Sequence, residues 1–393
     1  MHRLDCRTMH PAHRDAFNRA FTDELYRRQT DDLARRAGAH AGFRLAETPV
    51  FLTRELEERL VAAAHGILAQ ISTPGALARL RRFVPPEWDA PGMDSLPSLA
   101  QVDLAVVRAP DGSLEPKLIE LQGFPSLSAF EVLQADAWSA AMQGIAGLPE
   151  GGWSPFFSGL GRAGFLDLFR RTVVGDRAPE NVVLLDLHPE KQKTFVDFAA
   201  TRALLGVDPV SATDVEKEGR RLYRRKDGRR VPIERIYNRV VFDELIRSGE
   251  ALPFDFRDDL DVSWAPHPNW FWAWSKAALP LLDHPAAPRA RTLAELDALP
   301  DDLATSWVLK PLFSFAGGGV NVEPTAEDVA RVPADEREVW CLQEKIAYAP
   351  CLTAADGGGV KVEIRMMFFR PEGEASFTLG LNLCRLSRGK MLG

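Results

Sequence analysis

Apolar positions change their period several times along the chain, and each change marks an element. Between residues 14 and 82 they recur at helical spacing, most clearly where Leu56, Leu60, Val61, Ala64, Ile67, Leu68 and Ile71 share one face. Thr53, just ahead of that stripe, has the chemistry of an N-cap, because its hydroxyl can accept from an orphan amide of the first turn. The proline-rich stretch 83–97 reads as a connection. From residue 101 the period falls to two: QVDLAVV (101–107), the turn signal Asp111-Gly112 and PKLIELQ (116–122) predict a hairpin. Residues 126–147 return to helical spacing, and the Gly/Pro-rich region 147–164 predicts a loop.

Further along, VVLLDL (182–187) is a continuous apolar run of the kind found in a buried strand. A helical stretch at 190–205 and strand-like sequence near Asp208 then give an α/β alternation. Arg221–Lys226 and residues 229–237 flank Asp227-Gly228 as a second hairpin. In NWFWAWSK, Trp270, Trp272 and Trp274 alternate as one face of a strand would; they read either as core or as a stacking surface. From Ser306 the order is strand, glycine-rich turn, strand (SWVLKPLFSFAGGGVNVEP), a polar helix, a strand (EVWCLQEKIA) and two final strands.

The first hairpin carries the clearest chemistry. With Asp111-Gly112 as a two-residue turn, Asp103 falls opposite Glu120, and Gln122 shares the face of Glu120. Two carboxylates facing each other across a ladder repel. A magnesium ion between them would remove that repulsion, with Asp103, Glu120 and Gln122 supplying the oxygen ligands it prefers. The alternative is a slipped strand that points its acids to solvent. In the last hairpin, a turn at Glu372-Gly373 sets Glu363 opposite Asn382 with Arg365 on the same face and Arg385 beyond the strand's end. That polar row lines a cleft or forms an internal ion pair.

In VLKPLFSFAGGGVNV (308–322), Lys310 ends a strand ahead of Gly317, Gly318 and Gly319. Consecutive glycines let a backbone approach phosphates, and a lysine beside them adds charge. The order strand–loop–strand, without GK[ST], is neither a Walker loop nor a Rossmann fingerprint. Lys276 is a second lysine of this type, and Glu344, Lys345 and Ile346 close a strand as a hinge that could read an adenine edge through its backbone.

Composition narrows the partners. A chain of 393 residues is long enough for two or three packed units, and 46% hydrophobic with 26% charged residues is an ordinary globular mixture. The net charge of −7 repels nucleic acid in bulk, so the basic run around Arg220–Arg230 reads as a solvated hairpin before a nucleic-acid patch. Cys6, Cys341, Cys351 and Cys384 match no zinc or CxxC spacing and read as reduced thiols. The grouping of His2, Cys6, His10 and His13 has no ligand spacing either and reads as a polar terminus. The N-terminus has no signal-peptide apolar run and no stretch reaches the length of a membrane span, so the expectation is a soluble cytoplasmic protein with no membrane or nucleic-acid partner. The oligomeric state is not readable from these features.

Taken in order, QVDLAVVRAPDGSLEPKLIELQGFPSL, LLDLHPEKQKT, RIYNRV, SKAALPLL, VLKPLFSFAGGGV, LQEKIA, VEIRMMF and LNLCRLSRG resemble ATP-grasp enzymes of the circularly permuted kind, related to glutathionylspermidine synthases. The resemblance covers roughly residues 100 to 393 and rests on motif order rather than on any one motif. It implies a mixed α/β, ATP-grasp-like fold in permuted order with a helical N-terminal region. The implied divisions are 1–98 (helical), 99–180 (metal-binding hairpin and helices), 181–262 (substrate domain) and 263–393 (nucleotide lobe and final strands). The implied activity is an ATP- and Mg2+-dependent ligase joining a small-molecule carboxylate to an amine or thiol through an acyl phosphate.

Under that resemblance Lys276 and Lys310 hold phosphates and Asp103, Glu120 and Gln122 hold magnesium, while Arg365, Arg385 and Arg239 are the catalytic cations. Gln122 stands where the family has Asn, and the segment before residue 100 matches nothing in it. Two other readings stand beside the ligase. One is an ATP-grasp-like nucleotide-binding protein that serves as a regulator or partner module. The other is an unrelated α/β protein whose glycine loop and acid pairs are structural.

Overall fold

In the computed structural model, which describes residues 9–124, 126–151, 153–313, 319–348 and 350–389, the N-terminal helices follow their periodicity. They are α1 (Pro11–Ala20), α2 (Asp23–Ala37), α3 (Arg54–Ile71) and α4 (Pro74–Arg81). The Thr53 hydroxyl accepts from Leu56 N at 3.3 Å, and Thr22 and Thr73 cap α2 and α4 in the same way. The first hairpin follows as β1 (Leu99–Arg108) and β2 (Leu114–Gln122), then α5 (Ser128–Met142) and α6 (Arg162–Val173).

The middle of the chain alternates as expected through β3 (Val182–Asp186), α7 (Phe195–Leu205) and β4 (Asp208–Ser211). A small antiparallel sheet comes next, of β5 (Glu216–Glu218), β6 (Arg221–Lys226) and β7 (Arg229–Ile233). After β8 (Arg235–Asn238), α8 (Phe242–Ser248) and β9 (Ser263–Ala265) the parallel sheet is complete, in the order β4-β3-β8-β9. The chain then forms α9 (Trp270–Ala273), β10 (Ala290–Thr292), α10 (Leu303–Ser306), β11 (Trp307–Pro311), α11 (Ala326–Ala330) and β12 (Trp340–Glu344). It ends with β13 (Leu352–Thr353), β14 (Gly359–Phe369) and β15 (Thr378–Ser387).

The central sheet joins segments far apart in sequence. β1 lies between β2 and β14, antiparallel to both, and β15 and β13 pair with β14. One face of it is apolar: Val102, Leu104 and Val106 of β1 and Val362, Ile364, Met366 and Phe368 of β14 pack with Leu56, Leu60 and Ile67 of α3. The opposite face packs Met367, Phe369, Leu381 and Leu383 with α5 and α6, and it also carries Asp103, Glu363 and Arg365. Such strict alternation leaves each charged residue of β1 and β14 on a single side.

Four expectations change, one being the strand after the glycine turn, which is reduced to an isolated bridge of Asn321 with Leu309. The first turn is a three-residue loop in which Gly112 N donates to Ala109 O and Gly112 takes φ +85°, a conformation that suits glycine. The loop shifts the pairing by one residue, and an irregularity between Asp103 and Leu104 shifts it back, so Asp103 still faces Glu120. No such compensation restores the last hairpin. Its connection runs from 370 to 377, fastened by Arg370 to the Pro97 and Glu374 carbonyls, so Glu363 faces Arg385 and Asn382 faces Met366. The tryptophan segment is a short helix rather than a strand: Trp270 and Trp274 meet edge to face at 5.7 Å, inside the core. A uniformly apolar run has no period to distinguish the two.

Segment 274–286 runs beside β2 and ties it to the lysine-bearing lobe, through Gly123 N to Trp274 O and Leu118 N to Ala286 O, both 2.7 Å. A Cβ at Gly123 would lie 2.6 Å from Trp274 Cβ and 3.0 Å from Trp270 O. Gly123→Ala should therefore lower stability by about 1–3 kcal/mol through overpacking. In urea melts the midpoint should fall with an unchanged slope.

Candidate nucleotide-binding site

The polar face of the central sheet is built from strand alternation. Glu120 on β2, Asp103 on β1 and Arg365 on β14 form one cross-strand row. Glu363, two residues earlier on β14, faces Arg385 on β15 in the next row. Asp103 is fully buried and accepts from Arg365 Nε and Nη2 at 2.7 Å each, the fork geometry that suits a carboxylate. Arg385 Nη2 donates to the same carboxylate at 2.5 Å and also to Glu363, whose other oxygen accepts from the Tyr348 hydroxyl at 3.3 Å. Burial pushes the Asp103 carboxyl up, but the two guanidinium charges outweigh it and hold the group below its ordinary range. Burial likewise pushes the Tyr348 phenol up.

Glu120 and Gln122 occupy the same face, both half-buried, with Gln122 Nε2 donating to Glu120 at 2.6 Å. The lysines come from two other segments. Lys276 begins the turn of 3-10 helix at 276–281 beside β2, and Lys310 is near the end of β11, opposite Cys341. Each is 7% exposed. Burial pulls the Lys310 ammonium down to about 8; Cys341 and Glu120 act in the opposite sense, and Lys276 adds to the lowering. Lys276 and Glu120 thus both lie within electrostatic reach of Lys310. Cys341 has its thiol pushed up to about 11 by burial, and the two lysines partly oppose this.

Of the glycine triplet, Gly317 and Gly318 lie outside the described residues. Gly319 has φ +73°, and a Cβ there would meet the Pro311 ring at 3.0 Å, so the loop returns tightly against the residue after Lys310. The hinge expectation fares differently. Glu344 is bound to Arg289, whose Nε donates at 2.6 Å. The backbone N–H groups of Glu344 and Lys345 donate to Arg289 O and Ser306 O, and Ile346 O accepts from Tyr348 N. The first two bonds fasten the end of β12 to its neighbours, and the third is a local turn after it.

Arg239 stands apart from the Asp103 row, at the carboxyl end of β8 in the parallel sheet. It is buried and donates to Asp197 at 2.9 Å. Asp197 also accepts from the N–H groups of Leu127, Ala129 and Phe130 at 2.9–3.1 Å, so it caps the start of α5 from another helix. Nearby, burial pushes the Asp186 carboxyl up to about 7, with Arg239 opposing. Asp197, Asp186 and Tyr348 were not singled out in the sequence, because the partners that give them meaning lie tens of residues away. The basic hairpin is largely neutralised: Arg224 and Lys226 both reach Asp208 at 2.9 Å, and Arg225 reaches Glu216 at 2.6 Å. Cys341, Cys351 and Cys384 are free thiols.

A magnesium ion asks for convergent oxygen ligands. Glu120 and Gln122 can offer a carboxylate and an amide oxygen beside the two lysines. Asp103 has both oxygens engaged by guanidinium groups, and among the described residues no three His, Cys, Asp or Glu side chains are grouped to hold a metal. The residues fit a cation that arrives with its own phosphate ligands and is met by Glu120 and Gln122.

No protein-family model and no curated protein matches the sequence. Solved structures do match the fold. A glutathione synthetase-like effector from Globodera pallida, in its apo form, aligns over 93% of this chain and 94% of its own, with a TM-score of 0.54 and 12% identity. At that identity the likeness is one of fold alone, and the fold of this chain is mixed α/β with several sheets, like that of this effector.

Proposed function

We propose that the chain is an ATP-dependent ligase of the ATP-grasp type that joins a carboxylate to an amine or thiol. The observation that carries this reading is the convergence of Lys276, Lys310 and Glu120 from three separate segments, beside an arginine pair anchored on the same sheet. The proposal includes circular permutation: the hairpin of Asp103 and Glu120 precedes the lysine segments in the chain, yet pairs with its last strands. Bound ATP would supply a phosphoryl group to the substrate carboxylate with release of ADP, and the amine or thiol would then displace phosphate from the acyl carbon.

The chain's own residues would do the positioning. Lys310 and Lys276 neutralise phosphate oxygens in a buried setting, where each charge contact is stronger than in water. Glu120 and Gln122 meet the magnesium that accompanies the nucleotide. Arg365 and Arg385 face charge that develops during transfer, where fixed donors act without reorganising. Arg239, committed to Asp197, holds the start of α5 and the loop before it in place.

A second reading, nucleotide binding without ligase turnover, is favoured by two features: Gln122 points its amide N–H at Glu120, and Asp103 is already neutralised. An ATP-hydrolysis screen against pooled amino acids, peptides and polyamines separates the two. The ligase requires ADP release that depends on both an acid and an amine; binding with no such release under any pool sinks it.

Two expectations concern binding itself. Lys310→Met should weaken ATP by about ten- to a hundredfold, the scale of a lost hydrogen bond to a charged group, with the magnesium requirement unchanged. Glu120→Ala should instead make binding weak or insensitive to magnesium while the fold survives, which titrations with and without the metal would show. The pH dependence follows from Lys310. Its ammonium is pulled down to about 8 in the free protein, and phosphates favour the charged form. Below pH 8 the lysine is already protonated, so affinity should be flat with respect to this group. Above it, binding must take up a proton, and affinity should fall by up to about tenfold per pH unit. Calorimetry in buffers of different ionisation enthalpy should detect that uptake in the wild type and not in Lys310→Met.

A further inference from the structure

Asp103 is the most completely engaged carboxylate on the polar face of the central sheet. It is 0% exposed, with three guanidinium N–H groups on its two oxygens, while Arg385, one of the donors, keeps 30% of its side chain accessible. Glu120, directly opposite Asp103 on β2, accepts from Gln122 and lies within electrostatic reach of both Lys310 and Arg365. Two acids in adjacent strands are therefore sorted by how fully guanidinium groups engage them. Asp103 is taken up by the arginines of β14 and β15, and Glu120 keeps a half-buried carboxylate bonded to Gln122.

From this sorting we infer that Asp103 is a positioning residue for Arg365 and Arg385 and not a ligand of the metal. The inference rests on the nucleotide reading above. Stripping Asp103 of its arginines to reach a cation would leave two guanidinium groups on a mostly buried face without their counter-charge. Held as it is, the carboxylate fixes Arg365 in one orientation through a two-point contact. It also shares Arg385 with Glu363, so that the Nη2 of Arg385 is pinned between two carboxylates. The metal-facing role then falls to Glu120 and Gln122 alone.

The test measures ATP affinity by calorimetry across graded magnesium concentrations, for the wild type, Asp103→Asn, Arg385→Gln and the double variant. Asp103→Asn should weaken ATP by about tenfold, the scale of losing charge-assisted hydrogen bonds, with half-saturating magnesium unchanged. Arg385→Gln should do the same, and the double variant should lose no more than either single one, because both remove one unit. Were Asp103 a metal ligand masked by Arg385, Arg385→Gln would free it and lower the half-saturating magnesium, and Asp103→Asn would raise it. Either shift overturns the inference and leaves the nucleotide reading standing. If Asp103→Asn does not fold, Arg385→Gln decides alone, since the two roles predict no shift against a downward one. Absence of ATP binding by the wild type at every magnesium concentration takes down the nucleotide reading and this inference together.

Discussion

A fully buried aspartate in the middle of a sheet is the constraint around which the rest of this molecule is arranged. Removing one partner from a buried ion pair costs about 3–5 kcal/mol, so Asp103 cannot be left without its arginines. Arg365 reaches it from β14 and Arg385 from β15. The charge therefore requires that the first hairpin of the chain and the last be neighbours, with β1 between β2 and β14. A one-residue slip of β14 against β1 would send Arg365 to the apolar face among Ile364 and Met366. Charge and hydrophobic alternation thus specify the same register.

A second dependency runs through Gly123 and the segment after it. Lys310 belongs to a different sheet from the acids and Lys276 to a turn of 3-10 helix, and that turn is tied to β2 because Trp274 and Ala286 bond to it at Gly123 and Leu118. The tryptophans are the packing that makes this possible: Trp270 and Trp274 fill the core beneath Gly123, with Trp274 stacked on Phe377 at 5.5 Å. Cys341, opposite Lys310 on β12, belongs to the same apolar core, and burial lowers the proton affinity of Lys310. Arg239 and Asp197 play the parallel role in the α/β half, joining β8 to the start of α5.

Much of the local order was legible along the chain. The Thr53 cap, the helical stripe after it, the buried run at 182–186 and the alternation of β1 and β2 all arise from neighbours within a few residues. The opposition of Asp103 and Glu120 was readable for a partly fortuitous reason, since a three-residue loop and a later irregularity cancel. Where no cancellation occurs, as between β14 and β15, the turn signal Glu372-Gly373 misplaced the pairing, because Arg370 anchors a longer connection to residues near position 97. The alternating tryptophans misled for a different cause: helix and strand both accept an unbroken apolar run.

What the sequence determined by itself was therefore the kind of most elements and the polar side of β1, β2 and β14, because both depend on spacing along one segment. What only the tertiary structure decided was which charge meets which. Asp103 has a carboxylate on one flank and a guanidinium on the other, and from the hairpin alone only the carboxylate is visible. Arg365 is 262 residues away in the chain and hydrogen-bonded to Asp103 in space. No local period encodes that contact; it exists because burying an aspartate demands a cation, and the folded sheet brings one to it.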